Sequence, residues 1–190
     1  MAGEPIGGSG LMAGFRLETE RLILREWRDD DFGALRALRT DAKVMATIGP
    51  LQDEQRTRDM LARLQMRQAR DGCTFWAMER KEDERVLGYC GVGRGTVPQL
   101  ETELEVGWRL AADCWGQSYA REAAEATLAW IAANHPGEPV WAITAVSNGR
   151  SRGLMERLGM RYRPELDFDH PKVEFDHLKP HVTYWLEQAA

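Results

Sequence analysis

Residues 105–122 read EVGWRLAADCWGQSYARE. Polar and apolar side chains alternate over residues 101–110, which predicts a β-strand with one acidic and one apolar face. A turn follows, and small residues then open an alanine-rich helix that we predict over Gln117–Asn134. Backbone N–H groups converge at such a helix start, and the helix dipole adds partial positive charge. The pattern predicts a phosphate or pyrophosphate site, and an ordinary strand-to-helix connection is the alternative.

Hydrophobic periodicity predicts the elements on either side of this junction. The predicted strands are Arg21–Trp27, Thr74–Arg80, Arg85–Arg94, Glu101–Leu110, Val140–Val146 and Val182–Leu186. One predicted helix follows the cap cluster Asp29–Asp31. The other predicted helices cover Asp53–Asp71, which Gly72 ends, Gln117–Asn134, and Arg150–Leu158, which Gly159 ends. This order predicts an α/β fold of the α+β type, with a mixed, mostly antiparallel sheet flanked by helices.

The 190 residues predict a single domain over residues 15–190, preceded by a flexible, glycine-rich tail at residues 1–14. The net charge of −5 combines charges of both signs, which argues against a nucleic-acid partner. The longest stretch without a charged residue is Ala126–Gly137, which is too short to span a membrane. The three widely spaced cysteines favour a reduced setting without disulfides. We therefore expect a cytoplasmic protein with no membrane association.

Two segments resemble the motifs of a known enzyme family. Residues 105–110, followed by 115–123, are similar to the acetyl-coenzyme A (acetyl-CoA) motif of the GNAT superfamily of N-acetyltransferases. Residues 148–151 (Asn-Gly-Arg-Ser), with Leu-Gly-Met at 158–160, resemble a helix of its ribosomal-protein-alanine acetyltransferase branch. The resemblance covers residues 15–188 and implies the GNAT fold and acetyl transfer from acetyl-CoA.

The resemblance also implies which residues hold acetyl-CoA. The strand backbone at Trp108 and Leu110 is implied to pair with the pantetheine arm, and Asn148 is implied to hydrogen-bond it near the thioester. The turn and the helix start are implied to bind the pyrophosphate. The residues of this pyrophosphate segment are Gly116, Gln117, Ser118, Tyr119 and Ala120.

Two positions depart from the family pattern. Ser118 stands where the family usually has glycine, so affinity for acetyl-CoA is expected to fall unless the local backbone is helical. Met155 stands where many members have a general-acid tyrosine, seven residues after Asn148. The serine of the Asn-x-x-Ser motif is favoured as the acid in the branch named above, which points to Ser151. Helix capping is the alternative role for this serine.

Transfer to an amine also needs a group that accepts the amine proton, and a carboxylate does this directly or through a water. Glu101, Glu103 and Glu105 share one face of the predicted strand. Because Glu105 lies nearest the acetyl-CoA motif, we predict it as the base. We interpret Glu101 and Glu103 as a solvated acidic face.

All four histidines lie late in the chain, at His135, His170, His177 and His181. Prolines interrupt the spacing that a metal site would use, so we predict no metal. Residues 167–171 (Asp-Phe-Asp-His-Pro) resemble a loop that borders the acceptor pocket in the ribosomal-protein branch.

The sequence thus predicts an acetyl-CoA-dependent N-acetyltransferase that acts as a monomer or homodimer. Protein N-termini, small amines and aminoglycosides stay open as acceptors, and the predicted acidic row favours a cationic one. A non-catalytic acyl-CoA-binding sensor or scaffold is the alternative, favoured if Glu105 and Ser151 do not face the thioester. A dinucleotide-binding enzyme is disfavoured, because no GxGxxG motif follows an early strand.

Overall fold

The computed structural model describes residues 14–187, which form one central sheet with helices on both faces. The strands are β1 (Arg16–Glu18), β2 (Leu22–Arg25), β3 (Phe75–Arg80), β4 (Val86–Arg94), β5 (Leu104–Leu110), β6 (Val140–Ala145), β7 (Arg161–Tyr162), β8 (Phe168–Asp169) and β9 (Pro180–Leu186). The α-helices are α1 (Phe32–Thr40), α2 (Ala42–Met45), α3 (Glu54–Asp71), α4 (Tyr119–Asn134) and α5 (Gly149–Arg157). The predicted α+β class and the mostly antiparallel sheet are confirmed.

The strand order places the predicted junction in the middle of the sheet. The order is β1-β2-β3-β4-β5-β6-β9-β7, and β8 pairs with β9 outside this path. β5 and β6 pair in parallel, as a helical crossover through α4 requires, and the other strand pairs described are antiparallel. The carboxyl ends of β5 and β6 therefore point to the same edge of the sheet.

The sheet separates two apolar layers. On one side, α4 packs against β4 and β5, and Trp76 is fully buried in the larger cluster. On the other side, α1 and α3 pack against each other, and Trp27 lies in the smaller cluster. Both tryptophans are core residues, with exposed fractions of 4% for Trp27 and 0% for Trp76.

The long helix α3 ends where its sequence signals predict. The Asp53 carboxylate accepts a hydrogen bond from the Arg56 N–H at 2.7 Å and caps the N-terminus. Gly72 follows the helix with φ +71°, a left-handed conformation that glycine adopts at little cost.

The prediction that the aspartate cluster before α1 caps that helix is wrong. Asp29–Asp31 forms a 3-10 turn, and the Asp31 carboxylate turns back to the buried Arg25 guanidinium. Arg25 donates to Asp31 at 2.7 and 2.9 Å and to Glu79 at 2.6 Å. A buried guanidinium is stable only when its charge is paired, so the Asp31 carboxylate binds Arg25 and does not cap α1.

The predicted acidic face of the strand 101–110 is wrong. β5 begins only at Leu104, because Thr102 has φ +78°, which is incompatible with an extended strand. Glu101 is exposed in an isolated bridge with Gly95, and the Glu103 carboxylate accepts from the Trp141 indole at 3.2 Å. Glu105 is therefore the one predicted glutamate that lies in β5.

The hydrophobic pattern does not predict four short elements, namely β1, α2, β7 and β8. They have two to four residues each, too few for a periodicity to appear.

Cys73, Cys90 and Cys114 are buried free thiols. In residues 14–187, no helix is long and apolar enough to cross a membrane. Residues 1–13 of the predicted tail lie outside the described residues, so that interpretation stays a prediction.

Candidate active site

β5 and β6 separate soon after they begin. The parallel ladder pairs Leu104 with Val140 and Glu105 with Trp141, and no further pair between these strands is formed in the described chain. β5 then continues along β4, and β6 continues along β9. The backbone edge after Glu105 is thus left open toward β6, and a strand edge of this kind can pair with an extended ligand.

The helix start beyond this opening presents backbone donors. The Glu122 N–H makes the first intrahelical bond of α4, to the Ser118 carbonyl at 3.0 Å. The N–H groups of Tyr119 and Ala120 therefore lack intrahelical acceptors and project beyond the helix end. These donors and the helix dipole are the features on which the predicted anion site depends, and the site stays a prediction.

Ser118 is the strained residue of this segment. Its φ is +64° and its ψ is +6°, so the backbone is left-handed and not helical. An L-residue with a Cβ costs more in this conformation than glycine does, which explains the family preference for glycine. The condition under which serine fits easily, a helical backbone, is therefore not met.

The side chains of Tyr119 and Arg21 pack against the start of α4, so the backbone there stays accessible to a ligand. The Tyr119 ring is buried, and the Arg21 guanidinium lies 4.4 Å from its centroid. Arg21 also donates to the Gln117 carbonyl at 3.1 Å and to the Glu122 carboxylate at 2.7 Å. Arg21 thus fixes residues 117–122 from 96 positions away, a role for which the local sequence gives no signal.

The two residues predicted to pair with the pantetheine arm pack their side chains against the main core. Leu110 is buried, and Trp108 packs, partly buried, against the main core. The Trp115 indole donates to the Leu110 carbonyl at 3.0 Å and thereby closes the turn after β5. What Trp108 and Leu110 can offer a ligand is therefore backbone.

The start of α5 lies beside the same turn. The Arg150 guanidinium, on an exposed residue, lies 4.5 Å from the centroid of the Trp115 ring. Sequence reasoning missed Arg150, although it stands inside the quoted Asn-x-x-Ser motif. It adds a positive charge next to the segment that the resemblance assigns to pyrophosphate.

Asn148 caps α5, so the capping role proposed as the alternative for Ser151 is wrong. The Asn148 side chain accepts from the Ser151 N–H at 3.3 Å and donates to the Thr144 hydroxyl at 2.9 Å. Ser151 is the third residue of the helix and is half-buried. Its hydroxyl is not needed for the cap, while Asn148 has both amide atoms engaged.

Met155 is a core side chain. Only 2% of its surface is exposed, and it packs in the main cluster with Met160 and Tyr184. A tyrosine hydroxyl at this position would need a partner inside the core. In this chain the position fills space and carries no acid.

Glu105 stands where the two parallel strands separate. Burial raises the pKa of its carboxyl to about 7, against the opposing effect of the Arg67 and Lys172 charges. A carboxyl with this pKa is partly ionised near neutral pH and is a stronger base than an ordinary glutamate. A pKa near the working pH is typical of a general base.

The loop at residues 167–171 packs on β9. The Asp167 carboxylate accepts from the Thr183 N–H at 3.2 Å and from the Tyr162 hydroxyl. The His170 and His181 rings lie 4.8 Å apart. Burial lowers the pKa of both, that of His170 to about 4, with the His181 and Lys172 charges adding to the effect there. The ring pair is therefore neutral at pH 7.

No group of three or more His, Cys, Asp or Glu that could hold a metal ion occurs within residues 14–187. The absence of a metal requirement stays a prediction. The same holds for the oligomeric state.

The structure thus brings the predicted cofactor residues to one edge of the sheet. The end of β5, the start of α4 and the start of α5 all lie at the carboxyl ends of the parallel strands. This is the edge at which open α/β sheets bind ligands. Glu105 lies deeper along β5, at the base of the opening.

Comparisons with known proteins agree with this geometry. The family model of the acetyltransferase (GNAT) domain matches residues 21–161. The chain is similar to the uncharacterized protein YkkB of Bacillus subtilis (strain 168), with 32% identity over 151 residues, 77% of this chain and 86% of YkkB.

Two solved structures share the fold. The GNAT-family acetyltransferase from Bacillus anthracis matches with a TM-score of 0.74 and 20% identity, over 91% of this chain and 98% of that one. The ribosomal-protein-S5-alanine acetyltransferase from Vibrio fischeri matches with a TM-score of 0.72 and 14% identity, over 92% of this chain and 97% of that one.

Proposed function

Because the chain belongs to the GNAT family and is thus an acetyl-CoA-dependent acyltransferase, we propose that it acetylates a primary amine by direct attack. The acceptor is a protein N-terminus or a small-molecule amine. The observation that carries this proposal is the opening between β5 and β6 with the high-pKa carboxyl of Glu105 at its base. The same family membership sets aside the non-catalytic module.

The residues present fit acetyl-CoA. The open backbone edge at Trp108 and Leu110 suits the amide-bearing pantetheine arm, which can pair with it as a strand would. The backbone donors of residues 116–120 suit the pyrophosphate, and the Arg150 guanidinium stands nearby. Asn148, which caps α5 through its side-chain oxygen, is the polar side chain assigned to the thioester end, and its amide nitrogen keeps a second hydrogen to donate.

Acetyl-CoA supplies an acetyl group activated as a thioester, and the chain then has two proton transfers to manage. The amine forms a bond to the acetyl carbon while the carbon–sulfur bond breaks, so the nitrogen must lose a proton and the sulfur must gain one. Glu105 accepts the amine proton, directly or through a water, because its pKa of about 7 lies close to the working pH.

Ser151 donates the proton to the departing sulfur. Support comes from its half-buried place in the first turn of α5 and from the cap made by Asn148, which leaves the serine hydroxyl available. A second support is Met155, whose buried thioether has no proton to donate.

The test is release of free thiol from acetyl-CoA in the presence of α-amino peptides, small amines and aminoglycosides, followed by mass analysis of the products. We expect release that depends on the amine and increases from pH 6 to pH 8. Release that is independent of every amine would contradict N-acetylation and indicate simple thioester hydrolysis.

A further inference from the structure

Two arginines on the Glu105 side of the sheet have no carboxylate partner among residues 14–187. Arg39, near the end of α1, is only 9% exposed. Its Nη1 lies 2.8 Å from the Met60 sulfur and its Nη2 lies 3.3 Å from the Gln52 side-chain oxygen. Its Nε is buried without a hydrogen-bond partner in the described chain.

Arg109 is the second of the two, on β5. It is half-buried, and its guanidinium lies 5.4 Å from the centroid of the Tyr89 ring. Its Nη1 lies 3.8 Å from the Met45 sulfur. Thioether sulfur is a weak acceptor, so within the part of the chain that the structure describes neither guanidinium has a partner that matches its charge.

The contrast with Arg25 shows how unusual this is. Arg25 is as deeply buried as Arg39, and it contacts two carboxylates, Asp31 and Glu79. Arg39 instead has its pKa lowered by burial and by the charge of Arg109. A positive charge near another one in a partly buried place is costly, and a bound anion reduces that cost.

A cleft lies next to Arg109. Met45, whose sulfur is 3.8 Å from the Arg109 guanidinium, lines a cleft of about 310 Å³ between residues 42–51 and residues 175–177. That volume suits part of a small ligand. Arg109 follows Glu105 by four residues on the same strand, so both side chains lie on one face, with Cα atoms roughly 13 Å apart.

The charges near Glu105 are also positive. Arg67 and Lys172 are the two cations that oppose the upward shift of its pKa. The acidic row that favoured a cationic acceptor does not form, since Glu101 and Glu103 lie outside β5. The face that carries Glu105 therefore favours an acceptor with a negative group over a polycationic one.

We propose that the acceptor amine carries a carboxylate, which binds Arg109 beside the cleft, with Arg39 as a further positive charge. This rests on the proposed amine acetylation. Arg109 is the specificity residue, because a guanidinium binds a carboxylate through two parallel hydrogen bonds and gains nothing comparable from a neutral amide.

The first test measures binding without turnover. The melting temperature is recorded with glutarate and with its neutral diamide, glutaramide, for the wild type, Arg109→Gln and Arg58→Gln. Arg58 is an exposed α3 residue, so the control makes the same charge change away from the cleft. We expect stabilisation by glutarate alone, lost in Arg109→Gln and kept in Arg58→Gln. Equal stabilisation by both probes, or by glutarate in Arg109→Gln, would overturn the anion site.

The second test measures turnover with amines in matched pairs, each a free carboxylic acid and its amide. We expect at least tenfold higher kcat/KM for the acids. In Arg109→Gln this advantage is lost through the acceptor KM, with the KM for acetyl-CoA unchanged. Arg39→Lys, which keeps the charge in the buried position, retains part of the advantage.

The outcomes separate the two ideas. Acetylation of amides and acids at equal rates would overturn the carboxylate specificity and leave amine acetylation standing. A rise in the acetyl-CoA KM of Arg109→Gln would overturn it too, since the arginine would then serve the cofactor. Binding of glutarate that depends on Arg109, with no amine acetylated, would support the anion site and contradict the proposed function.

Discussion

The β5–α4 junction and the face that carries Glu105 are built in different ways. The junction offers backbone N–H groups from consecutive residues, and its side chains, such as those of Leu110 and Tyr119, are turned into the core. The Glu105 face offers side chains from α1, α3, β5 and the loop before β9, which the fold assembles from remote segments. A contiguous backbone site leaves a motif in the sequence, whereas an assembled side-chain site does not.

The two regions also carry different kinds of strain. At the junction the cost is conformational, at Ser118 with its φ of +64°. On the Glu105 face the cost is electrostatic, in a half-buried carboxyl of raised pKa and in Arg39, whose pKa is lowered by burial and by the charge of Arg109. The comparison implies that changes at the junction alter cofactor affinity, and that changes on the face alter rate and acceptor choice.

The largest expected effect is that of Glu105→Gln. We expect kcat/KM to fall by about 10²–10⁴ above pH 7, the usual contribution of a general base, with the Kd for acetyl-CoA unchanged. In the parent, activity rises with pH through about 7 as the carboxylate ionises. The variant lacks this rise, which initial rates between pH 5.5 and 9 measure.

The matched control is Glu103→Gln, two residues away and outside β5, which we expect to keep the parental pH profile. Stability gives a second check. Because the folded pKa of Glu105 is raised from 4.5 to about 7, its ionisation destabilises the fold progressively between these pH values. Glu105→Gln should therefore raise the melting temperature more at pH 8 than at pH 4.5, and an equal change would contradict the raised pKa of this carboxyl.

Ser151→Ala tests the proton donor. We expect kcat to fall about 10²-fold, since proton-transfer groups contribute at least this much, while calorimetry shows unchanged binding of acetyl-CoA. Ser147→Ala, an exposed serine just before α5, is the control. A kcat equal to the parent's would mean that water protonates the sulfur.

Ser118→Asp is expected to act on the cofactor alone. Its negative charge faces the pyrophosphate at the helix start, so the Kd for acetyl-CoA should rise about tenfold, equivalent to roughly 1.4 kcal/mol. Ser118→Asn has the same shape without the charge and tolerates the left-handed backbone. The difference between these two variants in calorimetry isolates the charge, and equal affinities would place the pyrophosphate elsewhere.

Ser118→Gly has the smallest expected effect and the opposite sign. Relief of the left-handed strain should raise the free energy of unfolding by about 0.5–1 kcal/mol, after the added chain entropy of glycine is subtracted. Gly116→Ala is the reciprocal control. Gly116 has φ +77° and free space around its Cβ position, so alanine there should destabilise by about 1 kcal/mol. Urea unfolding measures both changes.

The order of the main elements follows from the sequence because local signals mark their ends. Asp53 and Gly72 bound α3, and Gly159 follows α5 with φ +80°. The short pieces β7 and β8 carry no such pattern, since they exist only where β9 provides a partner. The predicted strand 101–110 is longer than β5, because the alternation of side chains continues through Thr102 although the extended backbone does not.

The sequence by itself determined the GNAT fold and the acetyl-CoA segment, because both depend on neighbouring residues whose spacing is visible in the chain. Only the tertiary structure decided that Glu105 alone of its row lies in β5 and has a pKa near 7, that Asn148 caps α5 in place of Ser151, and that the charge of Arg109 lowers the pKa of the buried Arg39. Burial and charge proximity are properties of the folded surroundings. Residues that are distant in sequence create them, so no local pattern carries them.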